Sequence, residues 1–543
     1  MSRYAAYIAS IVLTFACVVL AIWSPAWFWG AAAFGGLALV GTHDLFQRRS
    51  TLLRNYPLLG HFRYGLEAIG PEMRQYFIDS DTAEVPFSRQ QRALVYQRSK
   101  SVLDTRPFGT LQDVYATDYE WINHSMMPTS IQTHDFRVNV GGARTSQPYS
   151  ASVFNISAMS FGALSSNAIL ALNEGAKRGG FYHDTGEGSI SPYHVRPGGD
   201  LVWEIGSGYF GCRDEQGRFS PERFAANAQF PQVKMIELKL SQGAKPGHGG
   251  VLPGSKVSPE IAATRGVPVG IDCVSPAWHS EFSTPVGLLQ FVDRLRDLTG
   301  GKPVGFKLAV GHPWEWFAIA KAMQETGLLP DFIVVDGAEG GTGAAPVEFI
   351  DHVGLPMQEA LMLVHNTLVG LNLRDQICIG AAGKIVSAFD IARTLAMGAD
   401  WCNSGRGFMF ALGCIQAQSC HTDRCPTGVA TQDASRSKAL DVPDKATRVY
   451  QFHYNTLHAL QHLLCAAGLD GPEQLGPEHV LRRVSPFEVR SLAALYRFLE
   501  PGELLRGDTE HAVFKAFWDR ASSASFKLSP SGAVPSCGSD PSQ

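Results

Sequence analysis

Between residues 151 and 435, short apolar or β-branched runs alternate with longer stretches whose apolar residues recur every three or four positions. That alternation limits what this chain can fold into more than any other feature. Eight runs read as strands: VFNISAMS (153–160), FYHDTGEG (181–188), MIELKLS (235–241), VGIDCVS (269–275), VGFKLAV (304–310), FIVVDGA (332–338), ICIGAAG (377–383) and WCNSGRG (401–407). Strands alternating with helices imply a parallel sheet, and eight such units commonly close into a barrel. A doubly wound open sheet is the alternative. The count of eight, and the glycine or polar ending of every run, favour an α/β fold with a (β/α)8 TIM barrel over 151–435. A C-terminal helical extension is expected over 436–525, with candidate helices near 444–467, 486–499 and 508–519. The Ser/Pro/Gly-rich tail, 526–543, is expected to be disordered.

The N-terminus reads differently. From Tyr4 to Thr42 there is no charged residue, a stretch of 39 positions. A signal peptide has an apolar core of only ~7–15 residues. Ser24-Pro25 divides the stretch, and Trp23, Trp27 and Trp29 gather at the division. The expectation is a transmembrane helical hairpin over 1–45, because tryptophan favours the membrane–water boundary. Arg3 before it, and Arg48, Arg49, Arg54 and Arg63 after it, predict a multi-pass membrane protein whose catalytic domain faces the cytoplasm. Residues 46–150 show no clear period and read as an irregular collar. A net charge of -4 argues against nucleic acid as a partner. The ten cysteines are scattered apart from one group, which is no disulfide framework in so long a chain.

In a (β/α)8 barrel the reactive groups stand on loops at the C-terminal ends of the strands, and a phosphate is often held after strands seven and eight. Those loops are GAAGKI (380–385) and NSGRGFM (403–409). Their glycines let backbone N–H groups approach phosphate oxygens, and Lys384 or Arg406 adds charge. The glycine-dense DGAEGGTGAAP (336–346) would let a flat ring lie against backbone. A phosphate-bearing cofactor follows, and FMN fits better than a dinucleotide because no strand–GxGxxG–helix unit occurs. Strand three and its loop (236–265) bring Lys239, Lys245 and Arg265 near one strand end, a set suited to a carboxylate substrate. Lys239 and Lys307 lie inside apolar strands, where an unpaired ammonium is expensive. Lys307 is placed to stabilise a reduced, anionic flavin. Glu187, in TGEGS, is the best-placed carboxylate for proton or ammonium handling.

Cys414, Cys420 and Cys425 fall within GCIQAQSCHTDRCPTGVATQD (413–433). Their spacing, C-x5-C-x4-C, is not the paired C-x2-4-C that zinc favours. Three thiolates followed by proline suit an iron–sulfur cluster; a trinuclear cluster needs no more, and Cys402 or Cys465 could add a fourth ligand. Lying directly after strand eight, the group would be within electron-transfer reach of a flavin.

The motifs SAMSFGALS, DTGEGSISPYH, KLSQGAKPGHGGVLPGSKV, DGAEGGTGAAP and GCIQAQSCHTDRCPTGVATQD make the run 151–435 resemble the flavin-binding synthase domain of glutamate synthase. More closely, it resembles the shorter FMN-binding glutamate synthase-like proteins of bacteria. The resemblance implies FMN in the barrel and a [3Fe–4S] cluster on Cys414, Cys420 and Cys425. It implies 2-oxoglutarate contacts at Lys239, Lys245 and Arg265, and catalytic roles for Glu187, Lys245 and Lys307. Cofactor contacts are expected at Ala158, Met159, Ser160, Gln242, Lys307, Gly340, Gly341, Gly383, Lys384, Gly405 and Arg406. The implied reaction is reduction of 2-iminoglutarate, made from 2-oxoglutarate and ammonia, to glutamate, with electrons from a donor protein such as ferredoxin. The family usually carries Gln at the place of Val251 and Glu at that of His248. Val251 removes one polar substrate contact, so another amino or keto acid, or electron transfer to quinone, is the alternative. Residue 2 is Ser2, not the nucleophilic cysteine of a glutaminase, so ammonia is expected from solution or a partner.

Overall fold

The computed structural model describes residues 2–47, 50–78 and 86–530, in two units, Met1–Glu84 and Val85–Gln543. In the first, α1 (Ala5–Leu20) and α2 (Trp27–Phe46) lie side by side, with the Tyr7 hydroxyl 2.9 Å from Thr42 Oγ1. The expected transmembrane hairpin, and with it the multi-pass, cytoplasm-facing placement and the membrane as partner, is overturned. Among the described residues no helix is long and apolar enough to cross a membrane. With 16 residues, α1 spans about 24 Å, short of a hydrocarbon core of about 30 Å. The last turn of α2 is polar: Asp44 is buried and accepts from His61 Nε2 (2.9 Å) and the Leu58 amide (3.1 Å). Arg48 and Arg49 lie outside the described residues. The collar is more regular than its sequence: Leu59–Met73 is a helix of 15 residues in the first unit, and Arg89–Ser99 is a helix in the second.

Eight parallel strands close the second unit into a barrel: β1 (Phe154–Ile156), β2 (His183–Asp184), β3 (Leu201–Ile205), β4 (Val233–Lys239), β5 (Val304–Leu308), β6 (Phe332–Asp336), β7 (Cys378–Ala382) and β8 (Trp401–Ser404). β8 returns to β1, with Cys402 opposite Phe154. Every residue of β3 and β5 is buried, as parallel strands covered on both faces require. The expected fourth strand, 269–275, is not in the barrel. Its Cys273–Val274 pairs antiparallel with Val251–Leu252 as a ribbon within the β4–β5 connection, and residues 269–272 are exposed. The missing strand is LVWEI, 201–205, so MIELKLS forms the fourth strand and not the third.

Side chains alternate along each strand, and this stacks the barrel interior in layers. Tyr182, Val202, Met235, Phe332, Val334 and Trp401 fill the N-terminal end. Beneath them the hairpin Arg137–Val140/Tyr149–Ser152 adds Val140, Tyr149 and Ala151 to the same apolar cluster. Two residues further along the strands stand Asp184, Glu204, Glu237 and Lys307, all buried, with Asp336 beside them. Barrel interiors are ordinarily filled by branched apolar residues; this layer is charged.

Outside the barrel, α3 (Ser166–Gly179) packs against the long α4 (Val442–Ala467). The helix expected over 486–499 is mostly a hairpin, Val480–Ser485 with Glu488–Ser491, extended by Glu120–Ile122. Val480, Val484 and Val489 give its strands β-branched residues, and Arg482 forms an ion pair with Glu120 at 2.6 Å. Helix is confined there to Leu492–Leu495. Further on, Ala512–Phe517 is helical. Residues 531–543 of the expected disordered tail lie outside the described residues.

Candidate active site

Lys239, the last residue of β4, points up from the charged layer into the barrel mouth. Its Nζ donates to Glu187 Oε2 (2.8 Å) and Gln242 Oε1 (3.3 Å) and lies 3.6 Å from Glu204 Oε1. Burial opposes the ammonium, but Glu187 and Glu204 outweigh it and hold the group above its ordinary value. Burial likewise opposes the Glu187 carboxylate, yet Lys239, Arg265 and Lys245 hold it down to about 2. Both groups therefore stay charged at neutral pH. Together with Ser207, Gln242, His248 and Gly250 they line one cleft.

Two further cations at this mouth feel the Glu187 charge but form no ion pair among the described residues. Lys245 is buried, and among the described residues its Nζ has only the Ala344 carbonyl (3.1 Å) as a hydrogen-bond partner; burial lowers its affinity for protons. Arg265, at the end of the helix Pro259–Arg265, donates to Ser160 Oγ (3.3 Å) and the Phe161 carbonyl (3.0 Å) and stacks on Phe210. Its Nε is buried without a partner. A ligand carboxylate would complete both.

The loops after β1, β6, β7 and β8 converge beside the cleft. The Ser157 amide donates to Ser404 (3.1 Å), and Ser404 Oγ donates to the Ile385 carbonyl (2.6 Å). That seam places Ala158, Met159 and Ser160 with Gly383, Lys384, Gly405 and Arg406. Arg406 Nη2 donates to the Glu339 carbonyl, next to Gly340 and Gly341, and its guanidinium lies 4.7 Å from the Phe87 ring; burial brings its pKa down to about 10. Lys384 holds a left-handed backbone (φ 49°) and, among the described residues, makes no hydrogen bond or ion pair. The loops of β4 and β6 also touch: the Gly243 amide donates to Asp336 Oδ2 (2.9 Å), and a Cβ at Gly243 would collide with the Gly337 carbonyl. Lys307 is not at the mouth. Its Nζ touches Glu204 Oε2 and lies 3.3 Å from Glu237 Oε1, one layer down.

In the loop after β8, burial raises the thiols of Cys414 and Cys420, whereas Cys425 is lowered. Burial opposes the Cys425 thiolate too, but the Thr427 hydroxyl and the backbone at Thr427, Val429 and Ala430 favour it and bring the thiol below its ordinary value. Among the described residues these sulfurs are not gathered within 4.8 Å as a single-ion site would be; a cluster in which each thiolate takes its own iron asks for a wider spread. The Lys256 ammonium donates to the carbonyls of Ala163 (3.1 Å) and Cys420 (3.4 Å), tying this loop to the one after β1. Cys402 faces Thr394 behind β8, and Cys465 accepts from the Ile131 amide (3.4 Å), so each is engaged elsewhere.

Residues 127–470 match the family model described as "Conserved region in glutamate synthase". The chain belongs to the glutamate synthase family. It is an oxidoreductase of the class acting on CH–NH2 groups. It is similar to the glutamate synthase large subunit-like protein YerD of Bacillus subtilis (strain 168), at 40% identity over 481 residues, covering 81% of this chain and 91% of that one. It is also 38% identical over 322 residues to the archaeal glutamate synthase (NADPH) of Methanocaldococcus jannaschii, spanning 59% of this chain and 60% of that protein. The archaeal-type glutamate synthase (NADPH) of Thermotoga maritima is 36% identical over 334 residues, spanning 61% and 62%. The chain thus covers under two thirds of the length of these last two glutamate synthases.

Sequence reasoning passed over Asp184, Glu204, Glu237 and Asp336 in this glutamate synthase-family barrel. For Glu204 and Glu237 the available signal is an acid flanked by apolar residues within a strand, as expensive unpaired as a lysine there. Gly250 was also unmarked: a Cβ there would collide with Glu187 Oε1. Gly250→Ala is therefore expected to push Glu187 off Lys239 and raise KM for the substrate while leaving the melting temperature within a few degrees. A normal KM would show that Glu187 does not need its present position.

Proposed function

We propose that this chain is an FMN- and [3Fe–4S]-dependent oxidoreductase that reduces the imine of 2-oxoglutarate and ammonia to glutamate. The observation that carries the reading is the meeting, at one barrel mouth, of two cations without an ion pair among the described residues, Lys245 and Arg265, with a charged Lys239–Glu187 pair. A dicarboxylate fits the first two. The second two offer a proton donor and an acceptor beside such a ligand. Bound FMN would supply hydride, and a cluster on Cys414, Cys420 and Cys425 would admit electrons one at a time from a donor protein such as ferredoxin. Lys384 and Arg406 are the cations for the FMN phosphate, with Ala158–Ser160 and Gly340–Gly341 along the rest of the cofactor. Gln242 reaches the same mouth through its bond to Lys239. Lys307 acts on the site through Glu204.

Purified holoprotein given reduced ferredoxin, 2-oxoglutarate and ammonium is expected to form glutamate; none above background ends this reading. A second reading, another keto acid as acceptor, is favoured by the half-buried Val251 beside Gly250, which puts an apolar side chain where a polar contact is expected. Val251→Gln is expected to lower KM for 2-oxoglutarate about tenfold, the worth of one hydrogen bond to a charged group. An unchanged KM favours the other acid.

A further inference from the structure

Beneath the mouth, Asp184, Glu204 and Glu237 bring carboxylate oxygens within 4.8 Å of one another. The Lys307 ammonium occupies the same layer, touching Glu204 Oε2 and lying 3.3 Å from Glu237 Oε1. All four residues are buried, and Glu237 Oε1 accepts no well-directed hydrogen bond. Asp336 on β6 also bears on Lys307, and Tyr182 below is committed to Asn403 (2.6 Å) and Trp401 (2.8 Å). Glu204 is shared with Lys239, 3.6 Å away, which leaves Lys307 to neutralise Asp184 and Glu237 with Asp336 also near; one ammonium cannot do so in a dry interior, and like charges this close do not all ionise, so the layer retains a proton.

A line of contacts climbs from that layer to the cleft. It runs from Lys307 to Glu204, from Glu204 Oε1 to Lys239 Nζ at 3.6 Å, and from Lys239 to Glu187 at 2.8 Å. We propose that Asp184 and Glu237 store a proton and pass it through Lys307 and Glu204 to Lys239 at the substrate cleft. The proposal rests on the reductive amination above, in which 2-oxoglutarate and ammonium take up two electrons and two protons and lose water. Lys239 gives a proton to the hydroxyl leaving the substrate carbon, which departs as water with the electron pair of the C–O bond. The amine left on Lys239 is recharged through Glu204 from Lys307, which takes the proton held by Asp184 and Glu237. That acid pair is left one charge more negative until solvent refills it, and nothing in the relay is oxidised or reduced. Burial and then Glu204 push Asp184 up to about 7, and burial pushes Glu237 well above the carboxylate range, which suits both to the task.

Infrared difference spectra of the holoprotein, recorded as its flavin is photoreduced in H2O and in D2O, test the store. A carboxylic-acid C=O band is expected that responds to reduction, shifts in D2O, and is lost in the Asp184→Asn/Glu237→Gln double variant. Glu237→Gln alone is expected to slow glutamate formation about tenfold or more, with KM for 2-oxoglutarate unchanged and the pH–rate profile displaced. Wild-type protein without the band, or a Glu237→Gln variant with the wild-type rate and profile, overturns the proposal. The wild-type part of the infrared arm, the band and its shift in D2O, needs neither the substrate nor a variant. The band in a protein that makes no glutamate supports the store while the proposed reaction fails; glutamate formation without the band overturns the store alone.

Discussion

Lys307→Met is expected to destabilise the folded chain by about 3–5 kcal/mol at neutral pH, the usual effect of removing one partner from a buried ion cluster. Lys307 is the ammonium in contact with Glu204 and Glu237, and burial opposes it less than these acids and Asp184 support it. The loss should depend on pH with a definite sign. A carboxyl whose folded pKa is raised binds more protons folded than unfolded, so its effect on stability worsens as pH climbs from about 4 towards the folded value. Asp184, at about 7, and Glu237 are of this kind. Without Lys307 they and Glu204 must take up protons to remain buried, which is easier at pH 5 than at pH 8. Glu187 has the opposite sign. Held at about 2, it contributes stability that is complete above about pH 4.5 and is lost as pH falls through 2. Thermal melts from pH 5 to 8 should show the gap between wild type and Lys307→Met narrowing as pH falls. A gap that stays constant or widens would mean that the charged layer is not what the lysine stabilises.

Cys425→Ser carries the second large effect. On the proposed function, iron per flavin is expected to fall to near zero, and reduction by ferredoxin to background, while photochemical reduction of the flavin persists. The reason is local: the Thr427 hydroxyl and neighbouring backbone favour the thiolate of Cys425 and lower its pKa. A serine hydroxyl is far less acidic and replaces a soft donor with a hard one. Cys402→Ser and Cys465→Ser are expected to keep their iron, because those sulfurs are turned to Thr394 and Ile131. A Cys425→Ser protein with full iron and full ferredoxin-driven turnover would remove the three-cysteine ligand set.

The barrel was legible because parallel strands covered on both faces must be short, apolar and punctuated by glycine, a pattern that survives in one dimension. The loops after β7 and β8 were legible for the same reason. β3 was not, since Trp203 and Glu204 break the β-branched pattern, while VGIDCVS imitates it in a ribbon lying at the surface. Lys239 and Lys307 stood out singly, but the buried acids Glu204 and Glu237 beside them did not. Their meeting is a matter of barrel register: Glu204 lies opposite Glu237, and Lys307 opposite Lys239, across strands dozens of residues apart. At the N-terminus, an uncharged run could not disclose that α1 stops at Leu20 or that Asp44 would be folded into the polar end of α2.

The regular alternation begins near residue 151, which invites trimming the chain there. The hairpin Arg137–Val140/Tyr149–Ser152 argues against that cut. It is the stopper of the vessel, and discarding it would leave Trp401, Phe332, Met235 and Tyr182 facing solvent through an open base. The shortest fragment able to stand alone therefore has to start upstream of Arg137, in sequence that carries no mark of the barrel it seals.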